Sequence, residues 1–195
     1  MASSKVLHLA LLALLPFSFA APAPSPAIEA VPSSNEAVDW IPIEWKGHTL
    51  YVNSAALIDT TVNSAEKVKR TLTPRDGGGE RCGASNGFSG IPAPWAVVND
   101  CWVIHDYGRD HDTYYGVWDH TSSTHPVLTA GSCVFEAGTK NIYKTYLGTK
   151  DIADVTFNAI KNLGNNGQVG AQGSMGCENT GELTGSKVNW KVKHS

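Results

Sequence analysis

The stretch Lys187-Val188-Asn189-Trp190-Lys191-Val192-Lys193 decides how the rest of the chain is read. Val188, Trp190 and Val192 alternate with Lys187, Asn189, Lys191 and Lys193, the period-two pattern of a strand with one apolar and one charged face. Such a strand needs partners along its backbone and a layer over its apolar side. Its lysines also discourage pairing between molecules. Working outward from it, further strand candidates lie at Tyr114–Asp119, Ser132–Ala137, Ile142–Leu147 and Gln168–Cys177.

Two helices supply the covering layer. In IPAPWAVVNDCWVIHDYG (residues 91–108), Pro94 stands near a first turn. Trp95, Val98, Cys101 or Trp102, and His105 recur at helical spacing, with Gly108 as the stop. A second helix begins after Thr149, read as its N-cap, with Asp151 in the first turn, where negative charge complements the helix dipole. Ile152, Val155, Ala159 and Leu163 form its buried stripe, and Gly164 ends it before Asn165-Asn166-Gly167. The expected fold is α+β: an antiparallel sheet of four to five strands with two helices packed on one face and two disulfides.

The disulfides follow from the expected route of the chain. Residues 1–20, MASSKVLHLALLALLPFSFA, have Lys5, an apolar run from Val6 to Leu15 and a small-residue site ending at Ala20, the pattern of a secretory signal peptide. The run is shorter than the roughly 18 residues a spanning helix requires, and no later segment comes near that length. A secreted chain with an even cysteine count predicts that Cys82, Cys101, Cys133 and Cys177 form a disulfide framework. None has the CxxC spacing of a zinc knuckle. Four cysteines allow three connectivities and the sequence leaves them open; Cys101–Cys133 with Cys82–Cys177 is the preferred pair. Each bond is worth on the order of 3–5 kcal/mol in the loop-entropy model.

At 195 residues the chain accommodates one domain plus a dispensable segment. Residues 21–81 read as a linker or a pro-segment. They open with the Pro- and Ala-rich APAPSPAIEAVPSSNEA, and they hold the dibasic pair Lys69-Arg70, read either as a processing site cut after Arg70 or as an exposed pair that is never cut. Within them, Asp39–Thr61 turns apolar, with Trp40, Ile41, Ile43, Trp45, Leu50 and Val52 sufficient for a strand or two, either packed on the domain or part of the pro-segment. Gly77-Gly78-Gly79 marks a hinge, and residues 82–195 form the α+β domain. The net charge of −3 gives no basic footprint, so no nucleic-acid partner is expected. No Asn-x-Ser/Thr sequon occurs.

Taken together, the cysteine-bearing pieces form an ordered set. It runs from Cys82 through Asn99-Asp100-Cys101, Gly131-Ser132-Cys133-Val134-Phe135 and Gly148-Thr149-Lys150-Asp151-Ile152 to Gly167-Gln168-Val169-Gly170-Ala171-Gln172-Gly173-Ser174-Met175-Gly176-Cys177. Over about residues 82–177 this resembles the necrosis-inducing factor domain of secreted fungal effectors, the family of homologues of fungal extracellular protein two. It is more distantly similar to the killer toxins of smut fungi, which are α+β sandwiches. The resemblance implies a secreted effector or toxin-like protein acting on an extracellular plant or microbial target, with virulence or necrosis as its effect. It brings no catalytic residue set. The glycines at 167, 170, 173 and 176 read as a bulged strand, since the P-loop Lys-Ser/Thr and the dinucleotide fingerprint are both missing.

One polar stretch remains, HDYGRDHDTYYGVWDH, residues 105–120. With His125, its His105, His111, His120, Asp106, Asp110, Asp112 and Asp119 contain the residue types of a two-histidine, one-carboxylate metal site. A histidine beside a carboxylate also suits acid–base catalysis. Neither has a supporting spacing or an identifiable nucleophile, so the stretch reads as a solvated connection. No catalytic residue, metal or cofactor is assigned, and the protein is expected not to be an enzyme.

Tyr114, Tyr115 and Trp118 continue the stretch into a strand with one face core and one exposed, unless all three rings are core. With His111 and Lys191 they make up the candidate contact surface. The function expected is binding of an extracellular target by a monomer. A small hydrolase or metalloprotein using His105–His120, and a cell-wall carbohydrate-binding module, are the alternatives.

Overall fold

The computed structural model describes residues 38–58, 78–117, 120–181 and 185–195. The leader, the Pro-rich segment, Lys69-Arg70, Trp118 and Asp119 lie outside the described residues.

In chain order the elements are β1 (Trp40–Trp45), β2 (His48–Asn53), β3 (Asn86–Gly90), β4 (Ala96–Val97), α1 (Val98–Asp110), β5 (Tyr114–Val117) and β6 (His125–Ala130). They continue with β7 (Cys133–Gly138), β8 (Thr145–Gly148), α2 (Thr149–Leu163), β9 (Gln168–Val169), β10 (Ala171–Cys177) and β11 (Ser186–His194). The period-two strand at the C-terminal end is β11, and it is central. It pairs antiparallel with β7 on one side and β10 on the other, in a seven-stranded sheet of order β1-β2-β6-β7-β11-β10-β3. Its Val188, Trp190 and Val192 are buried as the alternation requires. Two small ladders, β4–β9 and β5–β8, complete the described strands.

The α+β class, the two helices and both disulfides stand, but the sheet is larger than the four to five strands expected. Four of its strands, β6, β3 and the β1–β2 pair, are not among the five strand candidates, two of which, β5 and β8, form a ladder of their own. Pro126 and the polar neighbours of Val127-Leu128 conceal β6, whose register slips between Pro126 and Leu128. The sequence Asn-Gly-Phe-Ser-Gly of β3 has little strand propensity and is held as an edge by β10. The β1–β2 hairpin joins the sheet through Leu50–Val52 against Leu128–Ala130, so the described part of the apolar Asp39–Thr61 stretch, residues 39–58, packs on the domain through this hairpin.

The helices form successive layers. α1 lies on β6 and β7, and α2 packs principally on α1. α1 starts at Val98, four residues after Pro94, and does not stop at Gly108 but continues to Asp110. Gly108 is there for contact. A Cβ on it would stand 2.5 Å from the Thr149 carbonyl oxygen and 3.0 Å from the Ala153 Cβ, so the missing side chain lets the two helices touch. The N-cap of α2 is Gly148, one residue earlier than expected, and Asp151 reaches back to accept its N–H at 3.0 Å.

Cys82–Cys177 and Cys101–Cys133 are the disulfides, spanning 95 and 32 residues. The first ties the chain entering the domain to β10, the second ties α1 to β7. In the loop-entropy model they contribute about 5 and about 4 kcal/mol. Beside the second, Asp100 accepts hydrogen bonds from both the backbone N–H and the hydroxyl of Ser132, at 2.8 and 2.6 Å. Gly131 turns there at φ +50°, and a Cβ on it would strike the Asp100 carboxylate. The Asp100-Cys101 and Gly131-Ser132-Cys133 pieces are thus one clamp between the helix start and the β6–β7 turn.

The strand 167–177 is broken after Val169 and shows a register shift against β3 between Gln172 and Ser174, as a bulged strand should. Gly170 lies under Trp95, and Gly173 under the Trp190 indole, where a Cβ would come within 2.6 Å. The glycine hinge is not found in the described residues: Gly78 and Gly79 are buried, and Gly79 donates to Asp112 and accepts from the Lys150 N–H, each at 2.8 Å.

Candidate functional site

Lys46 and Gly47 both take positive φ, 47° and 81°, and so make a two-residue turn between β1 and β2 with Trp45 opposite His48. Alternation along β1 puts Ile41, Ile43 and Trp45 on the side facing α1. Trp45 meets Tyr107 edge-on at 5.9 Å, and His111 stacks on Tyr107 at 4.0 Å. α1 turns Cys101, Ile104, Tyr107 and Gly108 into the core. Its flanking stripe, Asn99, Trp102, Val103, Asp106, Arg109 and Asp110, then faces the hairpin turn across a groove of about 520 Å³ that Trp45, Lys46 and His48 close from the other side. That volume lies within the range of about 300–1,000 Å³ typical of ligand sites.

Paired charges line the groove. Lys46 bridges to Asp110 across it, and the ammonium holds the Asp110 carboxyl below its ordinary value. Arg109 pairs with Asp154 of α2 at 3.3 Å, and His105 donates through Nδ1 to Asp106 at 2.7 Å. Trp102 stands edge-on to His105 at 4.9 Å and to Phe157 at 5.9 Å, while the Lys46 ammonium lies 4.9 Å over the Trp45 ring.

The polar stretch 105–120 does not converge on one point. His105 turns to Asp106, His111 donates to the Tyr107 carbonyl, and His120 donates to the Asn141 carbonyl. Asp110 goes to Lys46, and Asp112 to Gly79 and Lys150. Among the described residues no three of His, Cys, Asp or Glu cluster as a metal site would require. All four cysteines are bonded and so offer no thiolate.

Of the candidate surface of Tyr114, Tyr115, Trp118, His111 and Lys191, Trp118 lies outside the described residues and the other four do not share one surface. Tyr115 is a correction: it is 1% exposed, lies opposite Leu147 in the β5–β8 ladder and shares a hydrogen bond with Tyr107, and burial pushes its hydroxyl well above the ordinary range. Tyr114, on the other side of β5, is half-buried beneath the Arg81 guanidinium and against Tyr146. His111 braces the back of the groove through Tyr107 and Trp45. Lys191 lies on the face of β11 opposite Trp190, away from α1. What sequence reasoning missed is that Trp45 and Trp102 line the same groove. The hairpin signal was present in Lys46-Gly47 between apolar alternations, but helical periodicity alone could not choose whether Cys101 or Trp102 faced inward.

Residues 81–177 match the Hce2 family model, described as "pathogen effector; putative necrosis-inducing factor". The match spans β3 to β10, both disulfides and the α1 wall of the groove; the hairpin wall and β11 lie outside it. No curated protein matches the chain.

Proposed function

Because the chain belongs, over residues 81–177, to this family of pathogen effectors, we propose that it is a secreted effector that binds an extracellular target through the groove between α1 and the β1–β2 hairpin. The observation that carries the reading is the groove itself. Two half-buried tryptophans and an exposed arginine line it, the residue types that dominate binding energy at interfaces. It is built on a helix that a disulfide and the Asp100–Ser132 clamp fix to the sheet. Rigid placement of this kind lowers the ordering cost of association.

The family and the two disulfides support export, and among the described residues no helix is long and apolar enough to cross a membrane. The target is a plant surface or apoplastic component, giving virulence or necrosis, or a component of a competing microbe, giving a toxin-like effect. Infiltration of purified protein into leaves, in parallel with growth assays on fungi and bacteria, tests this. A response in either that is lost on reduction with dithiothreitol is expected. No response in both contradicts it.

A further inference from the structure

The chemistry of the groove narrows what fills it, granted that the groove is the contact site. Lys46 and Arg109 bring positive charge and Asp106 and Asp110 negative, and each already has a partner in Asp110, Asp154, His105 and Lys46 respectively. A charged ligand would have to break one of these pairs to gain its own, whereas a neutral polar ligand can use the lone pairs and N–H groups that remain. The groove walls also include Trp45, Trp102 and Val103, apolar surface that is best met by C–H faces of a ligand. The lining stripe from Asn99 to Asp110 runs about 16 Å along the helix axis, the length of a short chain of units and not of a single small molecule.

Neutral charge, many hydroxyls, flat C–H faces and an extended shape together describe an oligosaccharide. We propose that the groove binds a neutral cell-wall oligosaccharide, with Trp102 as the stacking platform and Asp106 and Asn99 hydrogen-bonding its hydroxyls. Trp102 is preferred to Trp45 because the Lys46 ammonium lies over the Trp45 ring, while His105 and Phe157 brace Trp102. Asp106 keeps a side chain 59% exposed, so its free oxygen lone pairs are open to a ligand.

The test is calorimetric titration of the full secreted protein with chitohexaose and with cellohexaose, one from microbial and one from plant wall chemistry. Binding of at least one is expected. Trp102→Ala should weaken it by about tenfold or more, the class of loss seen for a buried aromatic anchor. Asp106→Ala, on an exposed side chain that leaves the core untouched, should weaken it by about threefold, as for one lost hydrogen bond. Lys191→Ala, on the other face of the sheet, should bind as the unmodified protein does. Failure of both hexasaccharides to bind at millimolar concentration, or unchanged binding by Trp102→Ala and Asp106→Ala, overturns the proposal. Should Trp102→Ala abolish the leaf or growth response while neither sugar binds, the glycan falls and the groove remains the contact site.

Discussion

Asp151 carries two duties. Its carboxylate receives the backbone N–H groups of Arg81 and Gly148, fastening the entering chain to the start of α2, yet burial outweighs those bonds and pushes its carboxyl up to about 6 from an ordinary 3.8. The folded state therefore holds a proton that the unfolded state has lost between those two values. Stability from this group is fully present below about pH 4 and is lost as the pH rises through about 6, a change of up to about 3 kcal/mol. The difference in unfolding free energy between the unmodified protein and Asp151→Asn should follow that direction, and a pH-independent difference would contradict it. Gly108 is the second residue with a definite prediction. Any side chain there meets the Thr149 backbone, so Gly108→Ala should lower stability by roughly 1–3 kcal/mol in chemical denaturation, although alanine is the better helix former. The sequence concealed this because a glycine near the end of a periodic run has the same appearance whether it stops a helix or seats another one against it.

The elements were legible in proportion to how much of their pattern is local. β11 and α2 could be read because period-two alternation and the Ile152, Val155, Ala159 stripe are local signals that burial in the structure matches. β3 and β6 could not, since their stability comes from β10 and from β2 and β7 and not from their own residues. The central place of β11 was equally invisible, and it has a consequence. The family-matched residues end at Cys177, so a chain truncated there loses the strand between β7 and β10 together with the Trp190 core. That truncation should show no cooperative thermal transition; a sharp one would refute the account of the sheet. Within the intact chain, Cys101→Ala with Cys133→Ala should cost about 4 kcal/mol and free α1 from β7, so it should weaken target binding more than its loss of stability alone explains. Comparison of binding at a temperature where the variant is still folded measures this.

At the scale of the whole molecule, the sequence disclosed the framework and misplaced the surface. The cysteine connectivity was left open and is given by the fold, whereas the two-disulfide framework, the α+β class and the family resemblance were readable because they depend on residue types in order along the chain. The groove was not, because it forms where a hairpin outside the family match meets a helix inside it, and only folding brings Trp45 and Trp102 to the same cleft. Of the aromatic residues proposed from sequence as contacts, Tyr115 went to the core and Tyr114 to Arg81, and Trp118 lies outside the described residues. The proposed function rests on a disulfide-braced scaffold with a groove between α1 and the β1–β2 hairpin. Its most direct test is the leaf or growth response of Trp102→Ala set beside that of Lys191→Ala, both at matched folding by circular dichroism. The account predicts that Trp102→Ala loses the response and Lys191→Ala keeps it; an equal response from both would contradict it.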